Sequence, residues 1–326
     1  MRIVVLGAGG IGGTIGARLH LAGHEVVLVA RGAHGEVLRD RGLTFVTPDE
    51  RVELRIPTFA RPADVSWRAD DVLVLATKSQ DTESAAREVA AAVGRGLPVV
   101  SAQNGVANER ALTRWFEHVH GLCVMLPAQH LEPGVVVAHS SPTAGILDLG
   151  RFPEGSDDVD DAVAEALRAS RFESVPRGDI MRWKYRKLLN NLGNAVQALC
   201  GSGNTLDGDD ALAALDLLVA EADAVFAAAG IDQVSEAEDD ERRADHLQVR
   251  PIDGAERGGG STWQSLARGS GVETDYLNGE IAHLGRLYAL ATPANARIQT
   301  LMAKAAARRA APGEMTASAL LAVLRG

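Results

Sequence analysis

Down the first half of the chain, apolar residues come in short unbroken runs separated by stretches with a longer period. Ile3–Leu6, Val26–Ala30, Asp71–Ala76 and Pro98–Ser101 are mostly apolar at consecutive positions, the pattern of strands buried on both faces of a sheet. Helical spacing fills the gaps: one helix runs to about Leu21, another covers Thr82–Val93, and a third covers Val159–Ala169. Thr44–Val46 and Arg51–Phe59 flank the turn Pro48-Asp49-Glu50 and read as a hairpin at the domain edge. Apolar stretches broken by Pro127, Pro133 and Pro142 predict a sheet that finishes in antiparallel pairing, with Phe172–Val175 as its last strand.

After Pro176 the texture changes to alanine-rich helical spacing with almost no strand signal. Helices are expected over Ile180–Leu199 and Thr274–Leu287, from Thr292-Pro293-Ala294-Asn295 onward, and over Met315–Leu324. Glu236–Arg243 reads as a solvated helix face, and in Arg257–Leu266 a glycine run precedes Ser261 and Thr262 as expected helix caps. The expected boundary therefore separates residues 1–176 from residues 177–326, with the first Ile180–Leu199 helix long enough to span the junction.

The first run of the chain ends in a motif that carries chemistry. Gly7, Gly9 and Gly12 stand at GxGxxG spacing between a predicted strand and a predicted helix, followed by a second strand. In such a βαβ unit the first glycine permits a tight turn, the second lets the backbone approach a pyrophosphate, and the third lets the helix lie on the sheet. Gly10 joins this set, while Gly10 and Gly13 both lower helix propensity. The fold class that follows is α/β, an N-terminal Rossmann-type doubly wound sheet with a second, all-helical domain. Where a site for NAD usually carries an acid at the end of the second strand, this chain has Ala30 and Arg31, a cation suited to a 2′-phosphate. The expected cofactor is therefore NADP(H). Lys78 and Asn104 follow the next two parallel strands, at the carboxyl ends where ligands of such sheets gather. Loop solvation alone would account for Lys78, and an Asn-Gly turn for Asn104.

Composition narrows the class. The 326 residues, 46% hydrophobic and 23% charged, suit two domains with substantial cores, and the net charge of -10 argues against broad nucleic-acid binding. Cys123 and Cys200 are the two cysteines, without CxxC or Cys/His clustering, so neither a disulfide nor a metal site is suggested and both read as buried packing residues. The first strand starts at once and no apolar run reaches the ~20 residues of a membrane span, so a cytoplasmic location without membrane contact is expected.

In the Ile180–Leu199 helix, Lys184, Lys187, Asn191, Asn194 and Ala198 recur at spacings of three and four, placing two ammonium groups and two carboxamides on one face. Asparagine is a poor helix former, and Asn190, Asn191, Gly193 and Asn194 interrupt the middle of this helix. Substrate binding is one account of that face, and hydrogen bonding between helices is another.

Taken together, these residues make the chain resemble the ketopantoate reductase family over essentially its full length. The blocks that carry the resemblance are the N-terminal glycine string with Arg31, the strand ends at Lys78 and Asn104, the Lys187-Leu-Leu-x-Asn191 helix, and Ser261 followed by Glu273-x-Asp275-Tyr-Leu-Asn278-Gly279. The resemblance implies NADPH-dependent reduction of 2-dehydropantoate at its C2 ketone. Lys187 would be the catalytic lysine and Glu273 would sit near lysine and cofactor, while Asn104, Asn191, Asn194 and Ser261 would contact substrate. The chain departs from the family pattern in three places. Asn191 and Asn194 are three apart where four is common; the pair at four, Asn190 and Asn194, aligns Arg186 with the lysine, and arginine is a poor proton donor. Trp183 stands four residues before Lys187 where two is usual, and Ser265 occupies a place often held by aspartate. Reduction of another 2-keto or 3-keto acid, or non-catalytic NADP binding, are the alternatives. A homodimer is compatible with the same reading.

Overall fold

The computed structural model describes residues 1–201, 206, 208–244, 246–254 and 258–326. Arg257, which begins the expected glycine run, lies outside the described residues. The strands are β1 (Arg2–Leu6), β2 (Val26–Val29), β3 (Leu43–Val46), β4 (Arg51–Leu54), β5 (Thr58–Phe59), β6 (Asp71–Leu75), β7 (Val99–Ser101), β8 (Val119–Met125), β9 (Ala128–Gln129), β10 (Val135–Ala138), β11 (Gly145–Arg151) and β12 (Phe172–Glu173). The helices are α1 (Gly10–Leu21), α2 (Gly32–Asp40), α3 (Thr82–Val93), α4 (Asn108–Leu112), α5 (Asp158–Ala169), α6 (Ile180–Cys200), α7 (Asp209–Ala229), α8 (Glu236–Arg243), α9 (Ser261–Ala267), α10 (Asn278–Leu287), α11 (Pro293–Ala307) and α12 (Ala317–Arg325).

Two compact units result: Met1–Lys184 with Ser235–Glu256, and Tyr185–Val234 with Arg257–Gly326. The first unit continues past Pro176 into the first turn of α6 and takes back a later segment that contains α8. A buried carboxylate holds that segment. Asp148 on β11 accepts from Arg177 Nε at 2.7 Å and from Arg242 Nε and Nη2 on α8 at 2.9 and 2.8 Å. Arg242 is thus tied to an interior acid instead of lying on a wholly solvated face, because its partner is 1% exposed and would otherwise be an uncompensated buried charge.

The first unit is built on an eight-stranded sheet of order β12-β11-β8-β7-β6-β1-β2-β5. All neighbours run parallel except β8 and β11, which pair antiparallel as the proline-broken stretch predicted. Its central strands β1, β2, β6 and β7 are buried at every position, which is why their sequences lack alternation. The expected hairpin forms between β3 and β4, but it belongs to a separate four-stranded sheet of order β4-β3-β10-β9 instead of the edge of the main one. The expected Arg51–Phe59 strand is therefore two: β4 stays with the hairpin and β5 pairs with β2.

This second sheet explains a glycine. A Cβ on Gly13 of α1 would stand 2.8 Å from Val136 Cγ2 on β10 and 2.7 Å from the Ala8 carbonyl oxygen, so the position admits no side chain. The N-terminus of α5 is closed by a capping box of Asp157 and Asp160, with Asp160 also 2.8 Å from His120 Nδ1. Those three residues have ligand-type atoms within 4.8 Å of one another, but the carboxylates are engaged by backbone N–H groups, His120 and Arg151.

In the second unit every described regular element is helical, as the alanine-rich texture predicted. Gly193, in the middle of α6, faces α7: an added Cβ would meet Leu215 Cδ1 at 3.5 Å and Leu206 Cδ1 at 2.9 Å. The tight approach is to Leu206, which precedes α7, while the contact with α7 itself is an ordinary van der Waals distance. Tyr185 meets Phe226 edge-on, with ring centroids 5.3 Å apart. The expected helix over Thr274–Leu287 is a 3₁₀ turn (Thr274–Tyr276) followed by α10. Its junction residue Asn278 is buried, donating to the Leu192 carbonyl of α6 and to Asn295 Oδ1. Cys123 is buried, whereas Cys200 is only half-buried. No described helix is long and apolar enough to cross a membrane.

Candidate active site

The glycine turn is closed behind and open in front. Gly7 has φ +98°, and a Cβ there would lie 2.8 Å from the Ala76 carbonyl group at the end of β6. A Cβ on Gly12 would overlap the Gly7 carbonyl oxygen and press on Val5 and Ala76, so the helix lies directly on the sheet. In front of Gly9, the nearest atom to such a Cβ is His130 Cδ2, 4.0 Å away. Gly10 has only ordinary contacts of 3.5 Å with the backbone of Ala128 and Gln129. Gly9 is the N-cap of α1, with no side-chain cap and no acid in the first turn. The first N–H groups of α1 and the space before Gly9 therefore suit the pyrophosphate of a dinucleotide.

Arg31 is the N-cap of α2 at the carboxyl end of β2, and its exposed guanidinium donates to Asp81 at 3.1 Å. An exposed pair of this kind contributes little to stability, so the guanidinium can exchange Asp81 for a phosphate. Lys78 caps the 3₁₀ turn Ser79–Asp81 after β6, and Asn104 follows β7. A buried network joins these strand ends. Gln103 Nε2 donates to the Thr77 carbonyl at 2.9 Å and to Thr82 Oγ1 at 2.8 Å; Thr82 donates to Asn108 Oδ1; Asn108 Nδ2 donates to the Asn104 carbonyl at 2.9 Å and to Ser79 Oγ at 3.2 Å. Ser79, Thr82, Gln103 and Asn108 are all buried, and they fix the backbone on which Lys78 and Asn104 ride. The strand-end places of Ser79 and Gln103 are legible in the sequence, but their bonds to Asn108 and Thr82 are not.

Lys184 sits in the core of the first unit. Its ammonium lies 2.8 Å from Glu109 Oε1 on α4 and donates to the carbonyls of Gln103 at 2.8 Å and Leu122 at 3.2 Å. The side chains of the pair are 2% and 0% exposed. The contact with Glu109 is an ion pair by distance without hydrogen-bond alignment, and neither Glu109 carboxylate oxygen makes a hydrogen bond among the described residues. Lys184 therefore neutralises an interior acid and anchors the start of α6; the two ammonium groups of the predicted face have different surroundings.

In the second unit α6 continues with Lys187 half-buried, Asn191 6% exposed, and Asn190 exposed. Asn194 Nδ2 donates to Asn191 Oδ1 at 3.4 Å, so the pair spaced by three shares one face. The Gly258-Gly259-Gly260 run meets the same face: Gly260 N–H donates to Gln197 Oε1 at 2.7 Å, and a Cβ on Gly260 would stand 3.1 Å from Asn194 Oδ1. Asn191, Asn194 and the entry to Ser261 are thus gathered together. The expected capping by Ser261 and Thr262 does not occur. Gly260 is the N-cap of α9: its backbone is extended, its carbonyl accepts from the Gln264 N–H at 3.0 Å, its own N–H donates to Gln197, and Ser261 is the first helical residue. Ser265 is buried and bonds back to the Ser261 carbonyl, closing the first turn of α9. Glu273 caps the 3₁₀ turn before α10, half-buried, while Asp275 accepts from Gln299 at 2.7 Å. Gln197, which holds the glycine run, was not singled out in the sequence; its place four residues after Gly193 on an otherwise apolar stretch gave no sign of its partner.

A nucleotide-type glycine turn on a doubly wound sheet, combined with an all-helical unit bearing lysine and amides, defines a two-part protein of the dehydrogenase class. Residues 3–154 match the family model described as ketopantoate reductase PanE/ApbA, and residues 179–306 match the C-terminal model of the same family. The chain belongs to the ketopantoate reductase family. It is 29% identical over 299 residues to the 2-dehydropantoate 2-reductase of Pyrococcus horikoshii, covering 90% of this chain and 94% of that one. Among solved structures it resembles the PanE/ApbA family ketopantoate reductase of Ralstonia eutropha, with 27% identity, a TM-score of 0.78, and coverage of 95% and 99% of the two chains. A D-mandelate dehydrogenase in a ternary structure with NADH and anilino(oxo)acetate has the same fold, with a TM-score of 0.81 at 22% identity over 95% and 99% of the chains.

Proposed function

We infer that the chain reduces a 2-keto acid with NADPH, 2-dehydropantoate being the substrate and pantoate the product. The observation that carries this reading is the match of both parts of the chain, in order, to the two parts of one reductase family. NADP(H) is favoured by Arg31 at the end of β2, where no acid is present to hold a ribose 2′-hydroxyl. When bound, the nicotinamide supplies hydride to the C2 carbonyl.

The chain's own residues do the rest. The N–H groups behind Gly9 and Gly10 hold the pyrophosphate, and Arg31 takes the 2′-phosphate. Lys78 and Asn104, fixed by the Gln103–Asn108 network, contact cofactor, and Asn104 also contacts substrate. Asn191, Asn194 and Ser261 hold the carboxylate and the 4-hydroxyl of the keto acid. Lys187 donates a proton to the oxygen that develops negative charge as C2 is reduced, and Glu273 keeps that ammonium oriented. Ketone, hydride and proton together make the secondary alcohol, so the step balances.

The spacing of three between Asn191 and Asn194 and the serine at 265 are the observations that favour a different keto acid as a second reading. Purified protein assayed for NADPH oxidation with 2-dehydropantoate, pyruvate and 2-ketoisovalerate separates the readings. A clear preference in kcat/KM for 2-dehydropantoate is expected. Preference for another acid would replace the substrate, and tight NADPH binding without turnover of any acid would remove the reductase. The same reading takes the enzyme to be cytoplasmic. It also takes the enzyme to be a homodimer, for which the exposed apolar residues Leu287 and Tyr288 of the second unit are a candidate surface, to be checked by light scattering.

A further inference from the structure

His34, in the first turn of α2, joins two segments at the glycine turn that are remote in sequence. Its Nε2 lies 2.8 Å from the carbonyl oxygen of Ala8, and its Nδ1 lies 2.9 Å from the backbone N of Gly134. A backbone N–H can only donate, so Nδ1 must be the bare nitrogen; Nε2 then carries the hydrogen and donates to Ala8. One neutral tautomer alone satisfies both contacts. In a planar trans peptide the carbonyl and the following N–H point in opposite directions, so holding the Ala8 carbonyl also sets the direction of the Gly9 N–H.

The second segment is the β9–β10 loop. Gly134 has φ +83° and approaches α2 so closely that a Cβ there would overlap Val37. The same loop carries His130, whose ring centroid is 4.0 Å from that of His34 and whose Nδ1 lies 3.0 Å from the Val135 carbonyl oxygen. His130 is also the side chain nearest the open space before Gly9. Neither histidine is one of the residues assigned above to cofactor or substrate.

We propose that His34 is a positioning residue for the cofactor pyrophosphate: it clamps the Ala8–Gly9 peptide and the β9–β10 loop in one arrangement, which sets the Gly9 N–H and places His130 as the facing wall of the phosphate approach. The inference rests on the nucleotide-binding reading of the glycine turn. It deepens that reading by assigning a group outside the glycine motif to the pyrophosphate alone. Burial, helped by His130, pushes the His34 imidazole down to about 4, which keeps the required neutral form through the working range.

The test uses the full-length protein and two probes, NADPH and adenosine 2′-monophosphate, the latter keeping the 2′-phosphate but lacking a pyrophosphate. His34→Gln can retain the donor to Ala8, His34→Asn can retain the acceptor for Gly134, and His34→Ala retains neither. His34→Ala is expected to weaken NADPH about tenfold, the size of one lost positioned hydrogen bond, while adenosine 2′-monophosphate binds as to wild type. KM for NADPH should rise with KM for the keto acid unchanged, and His34→Gln should recover NADPH affinity better than His34→Asn. Equal loss for both probes, or no loss in any folded variant, would overturn the proposal. If wild type binds the monophosphate and not NADPH, the pyrophosphate assignment falls with it; if it binds neither, the nucleotide reading itself is wrong.

Discussion

In the first unit the candidate groups stand at the ends of parallel strands, on a backbone fixed by glycine geometry and a buried side-chain network, whereas in the second Lys187, Asn191 and Asn194 ride on the flank of α6, and Ser261 and Glu273 stand on separate short helical elements. The sharpest instance of the contrast is within α6 itself. Lys184 and Lys187 are one turn apart, yet Lys184 is enclosed among Glu109 and two carbonyls and Lys187 is half-buried on the amide-bearing part of the helix. Periodicity places two side chains on one stripe, but it does not say that the stripe stays in one environment along its length.

The largest effect expected from breaking this contrast is on stability. Lys184→Ala would leave Glu109 as an uncompensated interior charge and should destabilise the fold by about 3–5 kcal/mol, measured by denaturant unfolding. Lys187→Ala should do the opposite, lowering kcat by roughly 10²-fold or more with Tm and NADPH affinity near wild type. If Lys187→Ala instead unfolds the protein while turnover of the surviving fraction is normal, the two lysines have been assigned the wrong way round. Arg31→Ala should come next, weakening NADPH about tenfold while leaving NADH little changed in fluorescence titrations. Equal loss for both nucleotides would sever Arg31 from the 2′-phosphate.

The last expected effect is a pH dependence. His34 has a folded-state value pushed down from 6.5 to about 4, so it is neutral in the fold while the unfolded chain takes up a proton first. Its contribution to stability is therefore complete above pH 6.5 and is lost as pH falls from there toward 4. A plot of Tm against pH should be shallower over that window for His34→Gln than for wild type. Parallel plots would mean that His34 is not held neutral.

These differences also account for what the amino-acid order revealed. The glycine turn, the parallel strands and the helices expected over Thr82–Val93 and Val159–Ala169 were legible, because period and length are local properties. The second sheet was not, since the hairpin Leu43–Leu54 finds its partner in β10, far along the chain and only four residues long. The network of Gln103, Thr82 and Asn108 was hidden for a related reason: each is an ordinary polar residue until folding brings strand ends together. Gly193 shows the converse: a helix-weakening residue among the asparagines leaves substrate binding and bonding between helices both open in the sequence, and only the fold places Leu206 against it. Asn191, Asn194 and the glycine run before Ser261 do converge, and Gln197, which ties them, has no motif of its own.

The clasp of Arg177 and Arg242 on Asp148 has an implication for cutting and splicing this chain. Because the segment Ser235–Glu256 returns to the first unit, the polypeptide passes between units at three points, and no single cleavage point liberates either half intact. A fragment ending at Pro176 would lack both arginines and expose β11 with a stranded carboxylate, so module exchange among relatives has to transplant the return segment together with the glycine-turn half.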